Sequence, residues 1–259
     1  MSKPTALITG ASSGIGKALA IRFAEAGHDL ILAARGVERM EALAAELKTR
    51  FPVTVTVIGA DLEAPDGAAR LHAEVTGRGL AVGILVNNAG YGIFGEFKDA
   101  ELGPQLGMIQ LNIVSLVTLT KLCLPGIIAA RGRIMNVAST AAFQPGPYMA
   151  VYYATKAFVL FFSEALAAEL EETGVTVTAL CPGPTASGFQ DKAAMNESRL
   201  VKGRKIPGAD VVAKFGYAAL MKGQRVAIPG LANWLGAQGV RFSPRNVVTR
   251  MVKLISKPV

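Results

Sequence analysis

The chain has 259 residues, 51% of them hydrophobic, and a net charge of +8 at pH 7. That apolar content excludes a disordered chain, and with only Cys123, Cys181, His28 and His72 there is no basis for a disulfide scaffold or a clustered metal site. The charge is uneven: residues 1–198 carry 15 Lys+Arg against 18 Asp+Glu, net −3, while residues 199–259 carry 12 against a single acid, Asp210, net +11.

From Met1 the chain runs straight into an apolar stretch at 5–9, with no leader pattern. No run reaches about 18 unbroken apolar residues, so the expectation is a cytoplasmic protein without a spanning helix. Strands are predicted near 5–9, 29–34, 53–60, 83–87, 132–138, 175–181 and 224–228. Helices are predicted near 14–27, 37–50, 66–77, 103–129, 151–173 and 209–222. The strands are continuous apolar runs such as Leu30-Ile31-Leu32-Ala33-Ala34, which suit a sheet covered on both faces. Strand–helix alternation with short turns argues a single doubly wound α/β domain over 1–259, mainly a seven-stranded parallel sheet with helices on both faces. Ligands then bind at the carboxyl ends of the strands. The stretch 184–208, bracketed by Pro184 and Pro207, breaks the rhythm and is placed to close over a substrate.

The first strand ends in Thr9-Gly10-Ala11-Ser12-Ser13-Gly14-Ile15-Gly16. Gly10 permits a sharp turn, and Gly14 and Gly16 remove side chains where backbone approaches a pyrophosphate and where helix packs on strand. Lys17 is followed by Ala18, not Ser or Thr, so this is no Walker loop. Farther on, Tyr152 and Lys156 stand four apart on a predicted helix and share a face. A phenol titrating near pH 10 is a poor acid–base group at neutrality. An ammonium about 4 Å away stabilises its phenolate by up to roughly 4 kcal/mol at an effective dielectric near 20. Tyr153, three residues before Lys156, also shares that face; with Tyr152 as the acting phenol it is expected to pack or line a pocket.

With Asp61-Leu62, Asn87-Asn88-Ala89-Gly90, Asn112, Ser139 and Pro182-Gly183 in the right order, the chain resembles the short-chain dehydrogenase/reductase family, standard single-domain type, over about residues 4–230. The resemblance implies a Rossmann-like fold and a hydride-transfer enzyme. It makes Tyr152 the proton donor, Lys156 a partner of the phenol and of the nicotinamide ribose, and Ser139 a donor to the substrate oxygen. It also makes Asn112 a helix-kinking residue that holds a relay water. For the cofactor it implies Gly10, Ser12, Ser13, Gly14, Ile15 and Gly16 around the pyrophosphate, and Asp61 and Leu62 at the adenine. Asn87, Asn88, Ala89 and Gly90 would lie along the adenosine ribose and pyrophosphate, and Pro182 and Gly183 at the nicotinamide. Ser187 stands where many relatives have threonine.

An NAD site places an acid at the end of the second strand; here that position reads Ala34-Arg35-Gly36. Arg35 can pair with a 2′-phosphate, so NADP(H) is preferred and NAD(H) remains possible. Ser13, where some NADP-dependent relatives carry a second basic residue, argues only moderate selectivity. The apolar segments Gly90–Phe94, Ala141-Ala142-Phe143 and Tyr148-Met149 offer no arginine clamp. The expected substrate is therefore an apolar ketone or aldehyde, or its alcohol. The alternatives are a 3-oxoacyl thioester reductase and a dinucleotide-binding sensor or scaffold without turnover. Long apolar helix faces around 109–124 and 158–170 predict a homodimer or homotetramer, unless the tail covers them. The basic tail, 230–259, contains an amphipathic helix at 246–255 that groups Val247, Val248, Met251, Leu254 and Ile255. It either docks on the slightly acidic body or lies on an anionic membrane surface; no nucleic-acid recognition motif accompanies its charge.

Overall fold

The computed structural model describes residues 3–188 and 206–257. Seven short strands, β1 (Ala6–Thr9), β2 (Leu30–Ala34), β3 (Val55–Gly59), β4 (Ile84–Asn87), β5 (Arg133–Val137), β6 (Thr176–Leu180) and β7 (Val226–Ala227), form one sheet. All pairs are parallel, in the order β3-β2-β1-β4-β5-β6-β7. Parallel neighbours need a crossover, and helices supply it on both faces. One face is covered by α1 (Gly14–Glu25), α2 (Val37–Arg50) and α7 (Ala209–Met221), through Leu19, Phe23, Met40, Leu47, Val212 and Leu220. The other is covered by α3 (Gly67–Gly77), α5 (Leu116–Ala129) and α6 (Ala150–Glu169), through Leu71, Val75, Leu119, Cys123 and Leu166. Because both faces are dry, the strands carry apolar residues without alternation. The strand order reverses between β1 and β4, and a crevice opens there at the carboxyl edge.

Three elements depart from the sequence expectation. The predicted helix 103–129 is α4 (Leu102–Ile109), a π-helical segment (Gln110–Ser115) and α5. Periodicity cannot register the extra residue of a π turn, which commonly marks a functional position. The predicted helix 151–173 stops at Glu169 and ends in a 3₁₀ turn, Glu171–Thr173, followed by Gly174 with φ +77°. The tail forms two helices, α8 (Leu231–Phe242) and α9 (Arg245–Ser256), divided at Ser243-Pro244. Gly236 and Gly239 lower the intrinsic helix propensity of the first, so its pattern was weak in the sequence.

Two segments, Leu102–Ala129 and Ala150–Glu169, are long and apolar enough to cross a membrane by length and composition, against the expectation that none is. Both lie partly buried beside the sheet. Most of the loop expected at 184–208, namely 189–205, lies outside the described residues; at its ends Ala186 bridges Gly208.

Candidate active site

A cleft of about 640 Å³ runs along the carboxyl edge of the sheet, from the β2 end past β1 and β4 to α6. Its floor at the β1 end is backbone. Gly10 turns with φ +66°, and a Cβ there would fall 2.8 Å from Asn88 Nδ2 and 3.0 Å from Ala89 Cα. Gly16 is buried beneath, where any Cβ would run into Asn88 and the Gly10 carbonyl. Asn88 holds the two turns together, donating from Nδ2 to the Thr9 carbonyl at 2.9 Å, while Thr9 Oγ1 accepts from the Asn88 and Ala89 amides at 3.0 Å. The α1 N-terminus therefore points its free amides into a groove floored by backbone, an arrangement suited to a pyrophosphate. Ser12, Ser13, Gly14 and Ile15 line it, and Ser187 closes over Gly14, its Cβ 3.0 Å from the site of a Gly14 Cβ.

Asn87 is corrected. It is buried under the sheet edge, donating to Thr120 Oγ1 and Asn136 Oδ1 at 2.9 Å, and does not line the cleft. Its donors brace β4 against β5 and α5, so its role is in the scaffold. Asp61, Leu62, Ala89, Gly90, Pro182 and Gly183 do line the cleft.

At the β2 end Arg35 extends outward, with a 3.4 Å contact to Glu63 Oε2. Sequence reasoning noted the missing acid on β2 but overlooked two neighbours. Arg39, one turn into α2, folds back so that its guanidinium nitrogens lie 3.1 Å from where a Gly36 Cβ would be, and it lines the same recess. The i to i+4 spacing of Arg35 and Arg39 across the start of α2 was the available signal. Glu63 comes from the turn after β3 and also accepts from the Tyr91 hydroxyl at 3.1 Å. Burial, then Glu63, pushes the Tyr91 phenol up to about 12.

At the other end three predicted residues meet. Ser139 caps the 3₁₀ turn Thr140–Phe143 that follows β5; its Oγ accepts from the Ala141 amide at 3.1 Å. Tyr152 is hydrogen-bonded with Ser139. Lys156 donates to the Val137 carbonyl at 2.8 Å, and its Nζ lies 5.8 Å from the Tyr152 ring centroid. Burial raises the Tyr152 phenol, with the Ser139 bond opposing, and burial pulls Lys156 down to about 8. The phenol is thus raised by its burial, where the sequence reading expects the neighbouring ammonium to lower it. Asn112 is buried one layer behind, in the π segment. Its Oδ1 accepts from the Tyr91 amide at 3.2 Å, and its Nδ2 donates to the Tyr91 carbonyl and to Thr155 Oγ1 at 3.0 Å. Its side chain is engaged in pinning the β4 loop to α6.

Met149, Ala141 and Tyr153 complete the apolar end, with Gln144 as a polar group that the sequence reading missed. Behind them Val248 and Val252 of α9 pack into one buried cluster with Met108, Met149, Tyr152 and Tyr153. Tyr153 is hydrogen-bonded with Ser256. The expected amphipathic face of α9 is thus corrected. Val248 turns inward with Val252, whereas Val247, Met251, Leu254 and Ile255 stay exposed.

Two hydroxyls converging beside a backbone-floored anion cradle can grip a carbonyl oxygen next to a bound dinucleotide. A family profile described as short chain dehydrogenase matches residues 4–198. A very-long-chain 3-oxoacyl-CoA reductase of Anas platyrhynchos is 38% identical over 183 residues, covering 68% of this chain and 58% of that protein. This chain therefore spans little more than half the length of the curated relatives it matches. A short-chain dehydrogenase from Sphingobium yanoikuyae in complex with NADPH superposes with a TM-score of 0.82 at 35% identity, covering 93% of this chain and 94% of that one. A bulky-bulky ketone specific alcohol dehydrogenase from Comamonas testosteroni gives 0.79 at 32% identity, covering 93% of both. Sheet order, the glycine turn and the match over 4–198 agree, and the chain belongs to the short-chain dehydrogenase/reductase family.

Proposed function

We propose that this protein is an NADP(H)-dependent reductase of a bulky apolar carbonyl compound, with a 3-oxoacyl thioester as the favoured substrate class. The observation that carries it is the convergence of Ser139 and Tyr152 at the apolar end of the cleft whose other end is the glycine cradle. The thioester reading draws on the 3-oxoacyl-CoA reductases among the curated relatives. A second reading, an apolar ketone, draws on the bulky-ketone dehydrogenase that shares this fold.

The cradle fits a dinucleotide: Cβ atoms at Gly10 and Gly16 would collide with their surroundings, and Arg35 and Arg39 offer two guanidinium groups to a 2′-phosphate. When bound, NADPH supplies the hydride. Ser139 and Tyr152 hold the carbonyl oxygen and polarise it. Tyr152 then releases its proton to that oxygen. Burial, which keeps the phenol protonated, suits it to donate in the direction of reduction. Lys156, one helical turn on, carries positive charge toward the phenolate left behind. In this reading Asn112 is a positioning residue, and Thr9, Asn88 and Ser187 shape the phosphate end.

We further propose that the whole chain works as one domain in the cytoplasm, where the buried thiols of Cys123 and Cys181 stay reduced. Association of two or four copies is proposed through α5 and α6, where Leu122, Phe158 and Phe161 are left exposed because the tail packs at the site instead. The test is NADPH consumption with 3-oxoacyl thioesters of increasing chain length beside a panel of bulky ketones. Turnover that rises with acyl length supports the first reading, and turnover of ketones alone supports the second. NADPH binding without turnover of any of them would leave a dinucleotide-binding protein and sink the proposal.

A further inference from the structure

The tail helices α8 and α9 each have two faces. The inner face of α8, Asn233, Ala237 and Val240, lies toward the site: Asn233 packs against Gly183, and Val240 joins the cluster around Tyr152 and Tyr153. The inner face of α9 is Val248, Val252 and Ser256. These contacts show what the body covers, and among the described residues they leave a second apolar face on each helix exposed. Phe242 is 88% exposed, Leu231 73%, Leu254 65% and Met251 60%. Val247, Met251 and Leu254 stand at i, i+4 and i+7, one stripe along α9. Arg250, Lys253 and Lys257, at i, i+3 and i+7, form the stripe beside it, and all three are exposed.

Burying this face against a protein must satisfy its charge. Residues 231–257 carry Arg241, Arg245, Arg250, Lys253 and Lys257 and no acid. A second copy meeting the same face would set these cations against one another with no counter-charge, so the face opposes its own pairing. A nucleic-acid backbone would neutralise the cations but leave Phe242, Met251 and Leu254 in water. An anionic lipid surface takes both: the apolar stripe enters the acyl boundary while the cations meet headgroup phosphates.

We infer that the exposed apolar faces of α8 and α9 are a docking surface for an anionic phospholipid bilayer, with Phe242, Met251 and Leu254 as the inserted residues and Arg250 and Lys253 as the headgroup contacts. Since the same two helices back the apolar end of the cleft, docking sets that end of the site beside the membrane. The surface assignment does not depend on the reaction proposed above.

The experiment is co-sedimentation of the full chain with phosphatidylcholine vesicles, with and without phosphatidylglycerol. The expected result is pelleting with the anionic vesicles at low salt, and release at high salt or with phosphatidylcholine alone. Arg250→Gln with Lys253→Gln is expected to weaken binding by about thirtyfold, at about fivefold per cation. Phe242→Glu with Leu254→Glu is expected to abolish pelleting while the circular-dichroism melting curve stays at the wild-type position. Wild-type protein that stays in the supernatant with anionic vesicles overturns the inference, as does a Phe242→Glu/Leu254→Glu variant that pellets like the wild type. Light scattering closes the remaining route: a wild type that ignores vesicles and loses a subunit on those two substitutions assigns the face to a second copy.

Discussion

The two ends of the cleft are built from different materials. The phosphate end is backbone: the turn at Gly10, the amides of α1 and the Asn88 brace leave a groove with few side chains in it. The carbonyl end is made of side chains brought from Ser139, Met149, Tyr152, Tyr153 and Lys156, backed by α9 from the far end of the chain. A backbone cradle tolerates almost no substitution, whereas a side-chain pocket can be reshaped one residue at a time.

The sharpest test of this division is at the carbonyl end. Tyr152→Phe keeps the ring and removes the proton. Turnover is expected to fall by about 10² to 10⁴ with NADPH affinity nearly unchanged, since a positioned general acid contributes about that factor. Stopped-flow reduction and cofactor titration on the same preparation separate the two quantities; equal losses in both would join the two ends functionally.

Lys156 gives the comparison a pH axis. Burial pulls its ammonium down to about 8, so the charge is present below that pH and lost above it. For reduction, kcat/KM is expected to be flat below about pH 8 and to fall by up to about tenfold per pH unit above it. The Lys156→Ala variant is expected to be low throughout and to lack that limb. A wild-type profile flat to pH 10 would remove the lysine's charge from the mechanism.

At the phosphate end, Arg35→Ala combined with Arg39→Ala is expected to weaken NADPH by about ten- to a hundredfold while NADH changes little, because only NADPH carries the 2′-phosphate. Isothermal titration with both cofactors measures this directly. Equal weakening would mean that the arginines merely support the start of α2.

These contrasts follow what could be read in the chain. The β1 turn was legible because a close backbone approach at Gly10 and Gly16 requires glycine, and glycine at fixed spacing is visible. Tyr152, Lys156 and Ser139 were legible because their spacing survives as family pattern. Asn87 was misread because it belongs to the same motif as its lining neighbours; only the packing of β4 against Thr120 and Asn136 turns it away. Arg39, Glu63 and Gln144 reach the cleft through side-chain direction, which no periodicity reports. The π segment and the two faces of α9 were missed for a related reason. A hydropathy stripe shows that a helix has an apolar side, not which neighbour takes it, and α9 offers one stripe to Tyr153 and another to solvent.

Val252→Ala probes the backing of the carbonyl end. It removes two methyl groups from the cluster that holds Met149 and Tyr153. The expected outcome is a rise of up to about tenfold in KM for the apolar substrate, the order by which pocket methylenes discriminate, with NADPH affinity unaltered. Ser256→Ala, which releases the Tyr153 hydroxyl, is expected to act in the same direction. If both variants leave KM untouched, α9 is only a cover.

The smallest expected effect sits where the two ends communicate. Glu63 faces Arg35 at 3.4 Å, holds the Tyr91 hydroxyl at 3.1 Å, and Tyr91 in turn is pinned by Asn112 behind Lys156. A 2′-phosphate arriving at Arg35 competes with the Glu63 carboxylate and is repelled by it. Glu63→Gln keeps the shape and removes the charge, so NADPH is expected to bind more tightly. The gain is bounded at about fivefold, because an ion pair this long and this exposed is worth at most about 1 kcal/mol. The gain should shrink in high salt and be absent for NADH, which lacks the phosphate. Weaker NADPH binding in Glu63→Gln would give the opposite sign: the carboxylate would then be holding Arg35 in position for the phosphate, and the acid beside the recess would belong to the cofactor site as a positioning residue.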